Sequence, residues 1–413
     1  MNDSEAASPV HAGESGRRVL IVGGSTRAAA WSAVRAGWTP ICADLFADLD
    51  TCQVAEIIPV RNFPTSLPED VASGRADGWF YTGALENHPR IIEQMIRPDA
   101  SYGPLWGTPP ATLRLVRDPF WLMETLRAAG LPALDVMPQS SPPPADGTWL
   151  QKPLASAGGR AIRVWDRDAA SRLFREPHYF QRRAVGDSCS AVFRAQDSQV
   201  EWLGATQQLI HFEASRASVP FAYCGSFGPI DQPGSAVSLS MESRNTVTRI
   251  AKVLARASDL HGLFGIDFVL DGDCVWMTEL NPRYTASIEI LELARKQSLL
   301  AAVVESGLRQ PIHSLAEDGA LMKVPVEFVA KAILYARHSF SAPDLTHLLR
   351  CESLWHMPHL ADVPAPGTVI EAGWPICTVF ASGRSTQQCL SDLTTRCHAV
   401  GRHCAESDGS TTL

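Results

Sequence analysis

The feature of this sequence that most restricts its fold is a pair of neighbouring strand patterns late in the chain. Residues 264–270 and 274–280 are rich in apolar residues, and the Asp-Gly-Asp sequence between them is typical of a tight turn, so the two segments predict an antiparallel hairpin. Side chains alternate between the two faces of a strand. Asp267, Glu279 and Asn281 therefore fall on one face of the predicted hairpin.

This face of the hairpin carries oxygen atoms of the kind that bind hard cations. Two carboxylates and an amide oxygen suit Mg²⁺, which prefers oxygen ligands and also holds phosphate oxygens. Arg283 follows the second strand and could reach a transferred phosphoryl group. The alternative is a set of solvated acids on an ordinary hairpin. Trp276, Met277 and Leu280 indicate buried surroundings, which argues against that alternative for the set as a whole.

The N-terminal part of the chain alternates between short apolar segments and helical patterns. Residues 19–22, 39–43, 55–60 and 78–81 predict strands. Strands that alternate with helices predict parallel βαβ units, and hence a Rossmann-like α/β domain. A glycine pair follows the first strand, and Asp44 lies where a ribose acceptor would, so NAD binding is an alternative. The G-x-G-x-x-G spacing is absent, which favours a structural role for this loop.

A loop rich in small residues follows a later predicted strand. Lys152 enters this loop, and Gly158 and Gly159 lie near its tip. Backbone N–H groups of small residues can approach phosphate oxygens, to which a lysine adds a point charge. Only five of the 36 basic residues are lysines, which makes a lysine at this position more informative. Taken alone, the loop is equally compatible with an ordinary hairpin that has a flexible tip.

The order of these motifs along the chain resembles the ATP-grasp superfamily. The motifs that carry the resemblance are Lys152 with its glycine loop, the segment 179–186 (Tyr-Phe-Gln-Arg-Arg-Ala-Val-Gly), Asp267, and the Glu279-x-Asn281-x-Arg283 element. The step of twelve residues between the two acids also matches the spacing of that family's metal-binding acids. The resemblance covers residues 17–300.

The resemblance implies a fold that combines α/β and α+β parts. We expect a Rossmann-like N-terminal α/β domain at 17–115, an ATP-grasp core of two α+β subdomains at 116–315, and a small C-terminal β-rich domain at 320–404. Residues 1–16 and 405–413 are expected to be disordered tails.

The resemblance also implies roles for individual residues. The contacts to ATP would come from Lys152, Gly158, Gly159, Gln181, Ala184 and Asp187. Among them, Lys152 would contact the phosphates, Gln181 and Ala184 the adenine, and Asp187 the ribose. The ligands of Mg²⁺ or Mn²⁺ would be Asp267, Glu279 and Asn281. The catalytic residues would be Arg283 and Lys152, which bind phosphate oxygens.

One position departs from the family pattern. The family usually has a second phosphate-binding lysine just after the aspartate that opens an earlier helix. Here that aspartate is Asp118, and Pro119 stands in the lysine's place. Proline suits the first turn of a helix but carries no charge. Arg114 or Arg117 could replace the lysine, and the sequence does not decide between them.

The composition restricts the partners of the protein more than its fold. The 36 basic and 44 acidic residues give a net charge of −8, which disfavours binding to a nucleic-acid backbone. No apolar run approaches the roughly 18 residues of a membrane span. Ten cysteines without a C-x-x-C pair fit reduced thiols. We therefore expect a cytoplasmic protein that binds neither nucleic acid nor a membrane. The resemblance implies an enzyme with small-molecule carboxylate and amine substrates, with a homodimer left open.

The function that the resemblance implies is an ATP-dependent ligase, which joins a carboxylate to an amine through an acyl phosphate. The nearest resemblance is to ATP-grasp proteins associated with tetrahydromethanopterin-linked one-carbon metabolism, which suggests amino-acid addition in cofactor biosynthesis. Two alternatives stay open. The first is a nucleotide-binding module without ligase activity, which Pro119 motivates. The second is an NAD-dependent oxidoreductase that uses the N-terminal glycine loop.

Overall fold

Four parallel strands in the order β3-β2-β1-β4 form the N-terminal sheet. The structure, a computed structural model, describes residues 16–172, 174–301, 327–349 and 353–406. The elements of this first part are β1 (Arg18–Val22), α1 (Arg27–Arg35), β2 (Thr39–Asp44), α2 (Leu49–Cys52), β3 (Glu56–Pro59), α3 (Leu67–Asp70), β4 (Gly78–Tyr81) and α4 (Pro89–Met95). The parallel pairing and the alternation of strands with helices agree with the predicted Rossmann-like domain.

A four-stranded antiparallel sheet of order β5-β8-β6-β7 comes next. Its elements and the helices before it are α5 (Pro110–Val116), α6 (Pro119–Ala128), β5 (Val136–Pro138), β6 (Asp146–Pro153), β7 (Arg163–Asp166), α7 (Arg167–Ala170) and β8 (His178–Arg182). The Asp118 carboxylate caps α6, because it accepts a hydrogen bond from Phe120 N at 2.8 Å. The small-residue loop that contains Gly158 and Gly159 joins β6 to β7.

The central sheet has eight antiparallel strands in the order β13-β12-β9-β10-β11-β14-β18-β16. The elements from the middle of the chain are β9 (Asp187–Gln196), β10 (Gln199–Ile210), β11 (Tyr223–Gly228), α8 (Met241–Ser258), β12 (Gly262–Asp271), β13 (Cys274–Asn281) and α9 (Ala286–Arg295). The predicted hairpin is β12–β13. Helix α8 buries one face, which includes Val247, Ile250 and Leu254, in the core of this sheet.

The C-terminal residues extend the same sheet. Their elements are β14 (Phe328–Tyr335), β15 (Phe340–Ser341), β16 (Leu360–Ala361), β17 (Val369–Ile370), β18 (Pro375–Gly383) and α10 (Thr386–Glu406). Strand β14 pairs with both β11 and β18, and β16 pairs with β18, while β15 and β17 form a separate two-stranded ribbon. Helix α10 packs through Leu393 and Cys397 into the hydrophobic core of the central sheet.

The N-terminal sheet and the central part share a hydrophobic core. Side chains from β1 and α1 pack together with Val192, Leu203, Ile288 and Leu291. Ion pairs accompany this packing, because Arg35 of α1 binds Glu292 of α9 at 3.1 Å. The N-terminal sheet and the central part are therefore firmly packed on each other.

The predicted fold class is confirmed, with its parallel N-terminal sheet and antiparallel sheets. The predicted domain limits stay predictions, and the limit between the core and the C-terminal part falls at 302–326, outside the described residues. The predicted tails also lie almost wholly outside them. Within the described residues, no helix has the length and apolar character that crossing a membrane requires.

Candidate active site

A cavity of about 450 Å³ opens between the β5–β8 sheet and the central sheet. Residues from both sheets, from the glycine loop and from the beginnings of α6 and α9 line it. The predicted site residues that line this cavity are Lys152, Gly158, Gly159, Gln181, Ala184, Asp267, Glu279, Asn281 and Arg283. Residues more than one hundred positions apart in the sequence thus meet in one place.

The hairpin brings its three polar side chains together as the alternation predicted. Asp267 and Glu279 are direct partners across β12 and β13, next to an irregularity in the pairing. The Asn281 amide donates a hydrogen bond from Nδ2 to Asp267 Oδ2 at 3.0 Å. Two carboxylates and one amide therefore lie side by side on β12 and the edge strand β13 of the central sheet.

The two carboxylates of the hairpin have different electrostatic surroundings. Burial, and then the nearby Glu279 charge, raise the pKa of Asp267 to about 6. Burial acts in the same direction on Glu279, but Arg117 and Lys152 outweigh it and lower the pKa of Glu279. Arg283 acts on both carboxylates, whereas Arg117 and Lys152 act on Glu279, so Asp267 is the less neutralised member of the pair and could bind a further cation.

Lys152 lies inside the cavity and is only 7% exposed. Its ammonium donates hydrogen bonds to Gln181 Oε1 at 3.0 Å and to the Thr278 carbonyl at 3.4 Å, and it lies 5.8 Å from the centre of the Tyr179 ring. Burial tends to lower the pKa of Lys152, but Tyr179 and Glu279 reverse this effect and raise it. The lysine is thus a fixed positive charge among mostly neutral partners.

The glycine loop is held against the rest of the protein. The Gly158 carbonyl accepts a hydrogen bond from Tyr223 N at 3.0 Å. Gly159 has φ of +71°, and a Cβ at this position would lie 2.0 Å from the Phe221 carbonyl oxygen. Only glycine allows this approach, because any side chain would collide with the backbone. The loop therefore reaches the edge of the cavity in one defined position.

The remaining predicted nucleotide contacts lie in two different environments. Ala184 lines the cavity together with Val185 and Gly186, in the segment that joins β8 to β9. Asp187 does not line it. This exposed residue begins β9, and its carboxylate accepts a hydrogen bond from Gln207 at 3.4 Å. The assignment of Asp187 to a ribose hydroxyl stays a prediction.

Arg283 connects the hairpin to the N-terminal sheet. Its guanidinium donates to Glu86 Oε1 at 2.7 Å and to Asn281 Oδ1 at 3.1 Å. Glu86 is 2% exposed, and its second oxygen has no hydrogen-bond partner. Glu86 and its neighbour Asn87 were not predicted from the sequence. Their position shortly after β4 could have predicted them, because polar residues at the carboxyl ends of parallel strands often line ligand-binding sites.

The two arginines proposed as replacements for the missing lysine lie in different places. Arg114 forms an ion pair with Glu93 at 2.7 Å, and the side chains of both residues are almost half exposed. Arg117 lines the cavity, binds Glu279, and donates to Asn87 Oδ1 at 3.1 Å. Pro119 also lines the cavity at the first position of α6. Only Arg117 of these two arginines has its charge at the cavity.

The N-terminal glycine loop offers little to a dinucleotide. Both oxygens of Asp44 already accept two hydrogen bonds each, from Thr26 N and Oγ1 at 2.6 and 2.9 Å and from Phe46 N and Ala47 N at 2.7 and 2.8 Å. A Cβ on Gly23 would lie 1.9 Å from Thr82 Oγ1. The glycine and the aspartate thus have structural roles, as the missing G-x-G-x-x-G spacing indicated.

Residues 116–287 match the family model of the ATP-grasp domain. The matched segment contains every residue that lines the cavity and was predicted from the sequence. The chain therefore contains an ATP-grasp domain, and the resemblance found in its sequence is confirmed.

Two curated relatives match parts of the chain. The uncharacterized protein MJ0776 of Methanocaldococcus jannaschii is 22% identical over 238 residues, which cover 57% of this chain and 51% of that protein. The formate-dependent phosphoribosylglycinamide formyltransferase of Methylococcus capsulatus is 30% identical over 121 residues, or 26% of this chain and 30% of that enzyme. The chain thus spans about half the length of the first relative and less than a third of the second.

Solved structures share the fold over nearly the whole chain. The L-amino acid ligase of Bacillus licheniformis has a TM-score of 0.63 at 14% identity and covers 92% of this chain and 97% of its own. The carboxyaminoimidazole ribonucleotide synthase of Aspergillus clavatus, complexed with ATP, has a TM-score of 0.63 at 16% identity and covers 94% and 99%. At these identities the likeness concerns the fold.

Proposed function

We propose that this protein is an ATP-dependent ligase that joins a carboxylate to an amine. The observation that carries the proposal is the meeting, inside the cavity of an ATP-grasp domain, of a carboxylate pair with three cations, Lys152, Arg117 and Arg283. This charge pattern is complementary to a metal–triphosphate group, because the carboxylates attract the metal and the cations attract phosphate oxygens.

The cavity fits a nucleotide and a divalent cation. Its volume of about 450 Å³ is within the range of small-molecule sites. Asp267, Glu279 and Asn281 would hold Mg²⁺ or Mn²⁺, since they offer hard oxygens and a negative centre. No group of three or more His, Cys, Asp or Glu in the described parts of the chain forms a metal site. Phosphate oxygens of the nucleotide would be further ligands of such a cation.

The chain would contribute position and charge rather than a covalent nucleophile. A carboxylate oxygen attacks the γ-phosphorus of ATP, the bond to ADP breaks, and an acyl phosphate forms. The amine then attacks the carbonyl carbon, inorganic phosphate leaves, and the amine loses a proton. The cation bound at the carboxylates would stabilise negative charge on the phosphates. Lys152 and Arg283 would hold oxygens of the transferred group.

The named similarities support this reaction class. An L-amino acid ligase and a ribonucleotide synthase complexed with ATP share the fold of the chain. The alternative, a nucleotide-binding module without turnover, is favoured by one observation, which is the uncharged Pro119 where the family has a second lysine. Arg117 weakens that alternative, because it brings a cation to the same cavity.

The proposal is tested by nucleotide binding and by turnover. The melting temperature of the protein is measured with ATP, with Mg²⁺, and with both, and phosphate release is then measured with pools of carboxylic acids, amino acids and amines. A ligase shows metal-dependent stabilisation by ATP and phosphate release that requires both a carboxylate and an amine. Binding of ATP without release in every pool indicates the module, and the absence of nucleotide binding contradicts both.

A further inference from the structure

Arg117 lies where three parts of the molecule meet. It follows α5, it binds the Glu279 carboxylate on β13, and it donates from Nη2 to Asn87 Oδ1 just after β4. Its side chain is 14% exposed, and its Nε has no hydrogen-bond partner although it is buried. A buried N–H without an acceptor is uncommon in proteins, so this donor is available to a ligand in the cavity that Arg117 lines.

The contact between Arg117 and Glu279 conflicts with cation binding at the same carboxylate. Arg117 Nη1 is bound to Glu279 Oε1, and the Glu279 carboxylate is one of the groups that would hold the metal. A guanidinium and a divalent cation repel each other, and in a partly buried site solvent screens this repulsion weakly. Arg117 and the divalent cation therefore compete for the Glu279 carboxylate.

We infer that Arg117 exchanges partners when the nucleotide binds. It neutralises Glu279 in the nucleotide-free protein and moves to phosphate oxygens when a divalent cation takes Glu279. This inference rests on the proposed function. Phosphate is the fitting new partner, because a guanidinium offers several N–H donors in a fork that matches phosphate oxygens. Arg117 thus supplies the phosphate-binding charge that Pro119 lacks, while Arg114 stays with Glu93.

Asn87 connects this exchange to the glycine loop. Its amide oxygen accepts from Arg117, and its amide nitrogen donates to the Ser156 carbonyl at 3.3 Å. Ser156 lies in the loop that carries Gly158 and Gly159. Asn87 is therefore a shared partner of Arg117 and of the glycine loop.

The experiment separates the two partners of Arg117 by using probes that engage them singly. Binding of Mn²⁺ alone is measured by electron paramagnetic resonance, and binding of ADP alone is measured by calorimetry in the presence of EDTA. The variant is Arg117→Gln and the matched control is Arg114→Gln. We expect Arg117→Gln to bind Mn²⁺ at least tenfold more tightly than the wild type, because the competing cation is gone. We expect it to bind ADP at least tenfold more weakly, whereas Arg114→Gln stays within twofold for both.

An unchanged affinity of Arg117→Gln for either probe overturns the exchange. Near-UV circular dichroism checks that the variant is folded. If it is not, Arg117→Lys is used, and the retained charge keeps Mn²⁺ affinity within threefold while the lost fork weakens ADP at least threefold. Wild-type ADP affinity in Arg117→Lys overturns the inference in that case. A wild-type protein that does not bind MgADP contradicts the proposed function instead, so the two failures are distinguishable.

Discussion

Lys152 shows how a buried charge can be prepared for a ligand. Its nearest hydrogen-bond partners are neutral oxygens of Gln181 and Thr278, so no carboxylate in direct contact neutralises it. The charge nevertheless persists, because nearby Glu279 and Tyr179 offset the cost of burial and the pKa of Lys152 is raised. A phosphate that enters the cavity would thus find a positive group already desolvated and fixed in place.

Substitution of Lys152 tests the predicted phosphate-binding role of this residue. Lys152→Met keeps the length of the side chain and removes its charge, so we expect nucleotide affinity to fall at least tenfold, or about 1.4 kcal/mol. The fold should persist, because methionine suits a buried position. Calorimetry with MgADP measures the effect. Lys252→Met, at an exposed position of α8, is the control, and equal affinities in the two variants would contradict the assignment.

Glu279 can be tested through the metal requirement. Glu279→Gln preserves the shape of the side chain and removes one negative charge at the hairpin. If Glu279 holds the cation, the variant needs more Mg²⁺ and loses turnover more than it loses ATP binding, because the charge on the phosphates changes most during transfer. A Mg²⁺ titration of ATP binding and phosphate release measures both. Asp271→Asn at the exposed hairpin turn is the control, and superimposable titrations of the two variants would remove the metal assignment.

Among the elements of the fold, the glycine loop is placed by the close approach of one glycine to a neighbouring backbone. Gly158 and Gly159 both have positive φ, at +67° and +71°. A Cβ on Gly158 meets nothing within 4 Å, whereas a Cβ on Gly159 collides with the Phe221 carbonyl. Arg160 also lies between the rings of Tyr335 and Trp374, at 5.8 and 5.7 Å from their centres. The loop is therefore fixed by the approach of Gly159 as well as by its neighbours.

The two glycines form a matched pair of test positions. Gly158→Ala should cost about 1 kcal/mol of folding free energy, since only the backbone strain of an alanine at positive φ is added. Gly159→Ala adds the collision, so we expect the loop to lift from Phe221. Limited trypsin digestion at Arg160 and Arg163 reports this change. Cleavage should be at least tenfold faster in Gly159→Ala than in Gly158→Ala, and equal rates would show that the approach does not hold the loop.

Some elements could be predicted from the sequence because their determinants are local. The β12–β13 hairpin depends on its turn and its alternation, and α6 begins after a capping aspartate, so both were predicted. The order of the central sheet could not be, because β11 pairs with β14 across roughly one hundred residues without a local signal. Nor could the sequence choose between Arg114 and Arg117. The choice depends on Glu93 and Glu279, which lie on different elements.

At the scale of the whole molecule, a buried ion cluster joins the N-terminal sheet to the central and C-terminal parts. Arg27 of α1 binds Glu289 of α9 and, at 3.0 Å, Asp362 next to β16. Lys331 of β14 binds the same Glu289 at 2.7 Å. Arg27 is 3% exposed and Glu289 is fully buried, so each charge depends on its partners. Burial would raise the pKa of Glu289, but Arg27 and Lys331 outweigh it and lower that pKa strongly.

Removal of the Arg27 side chain should lower the free energy of unfolding of the protein. Arg27→Met leaves Asp362 and part of Glu289 without their cation, and breaking a buried pair costs about 3–5 kcal/mol. The control is Arg18→Met, whose pair with Glu56 is 45% and 63% exposed and is worth at most about 1 kcal/mol. Chemical denaturation measures both variants. Equal losses of stability would mean that the cluster does not hold the parts together.

The same interface makes stability depend on pH through Asp48. Burial, followed by the neighbouring carboxylates Asp362, Asp50 and Asp44, raises the pKa of Asp48 to about 9. Its unfolded value is about 4, so the folded state holds a proton that the unfolded chain has released. The stabilising effect of this proton is complete below pH 4 and declines up to pH 9, where folded Asp48 ionises as well. Burial also raises the pKa of the neighbouring Asp50, to about 6.

Asp48→Asn isolates this contribution, because asparagine has the shape of the protonated acid and cannot ionise. We expect the free energy of unfolding of the wild type to fall relative to that of Asp48→Asn as the pH rises from 7 to 9, with a constant difference above that range. Groups remote from Asp48 that titrate there are common to both proteins and cancel in the difference. Asp99→Asn, whose side chain is 86% exposed, is the control and should follow the wild type at every pH. Parallel curves for the wild type and Asp48→Asn would mean that Asp48 is already ionised in the folded protein at pH 7, and that the interface tolerates its charge.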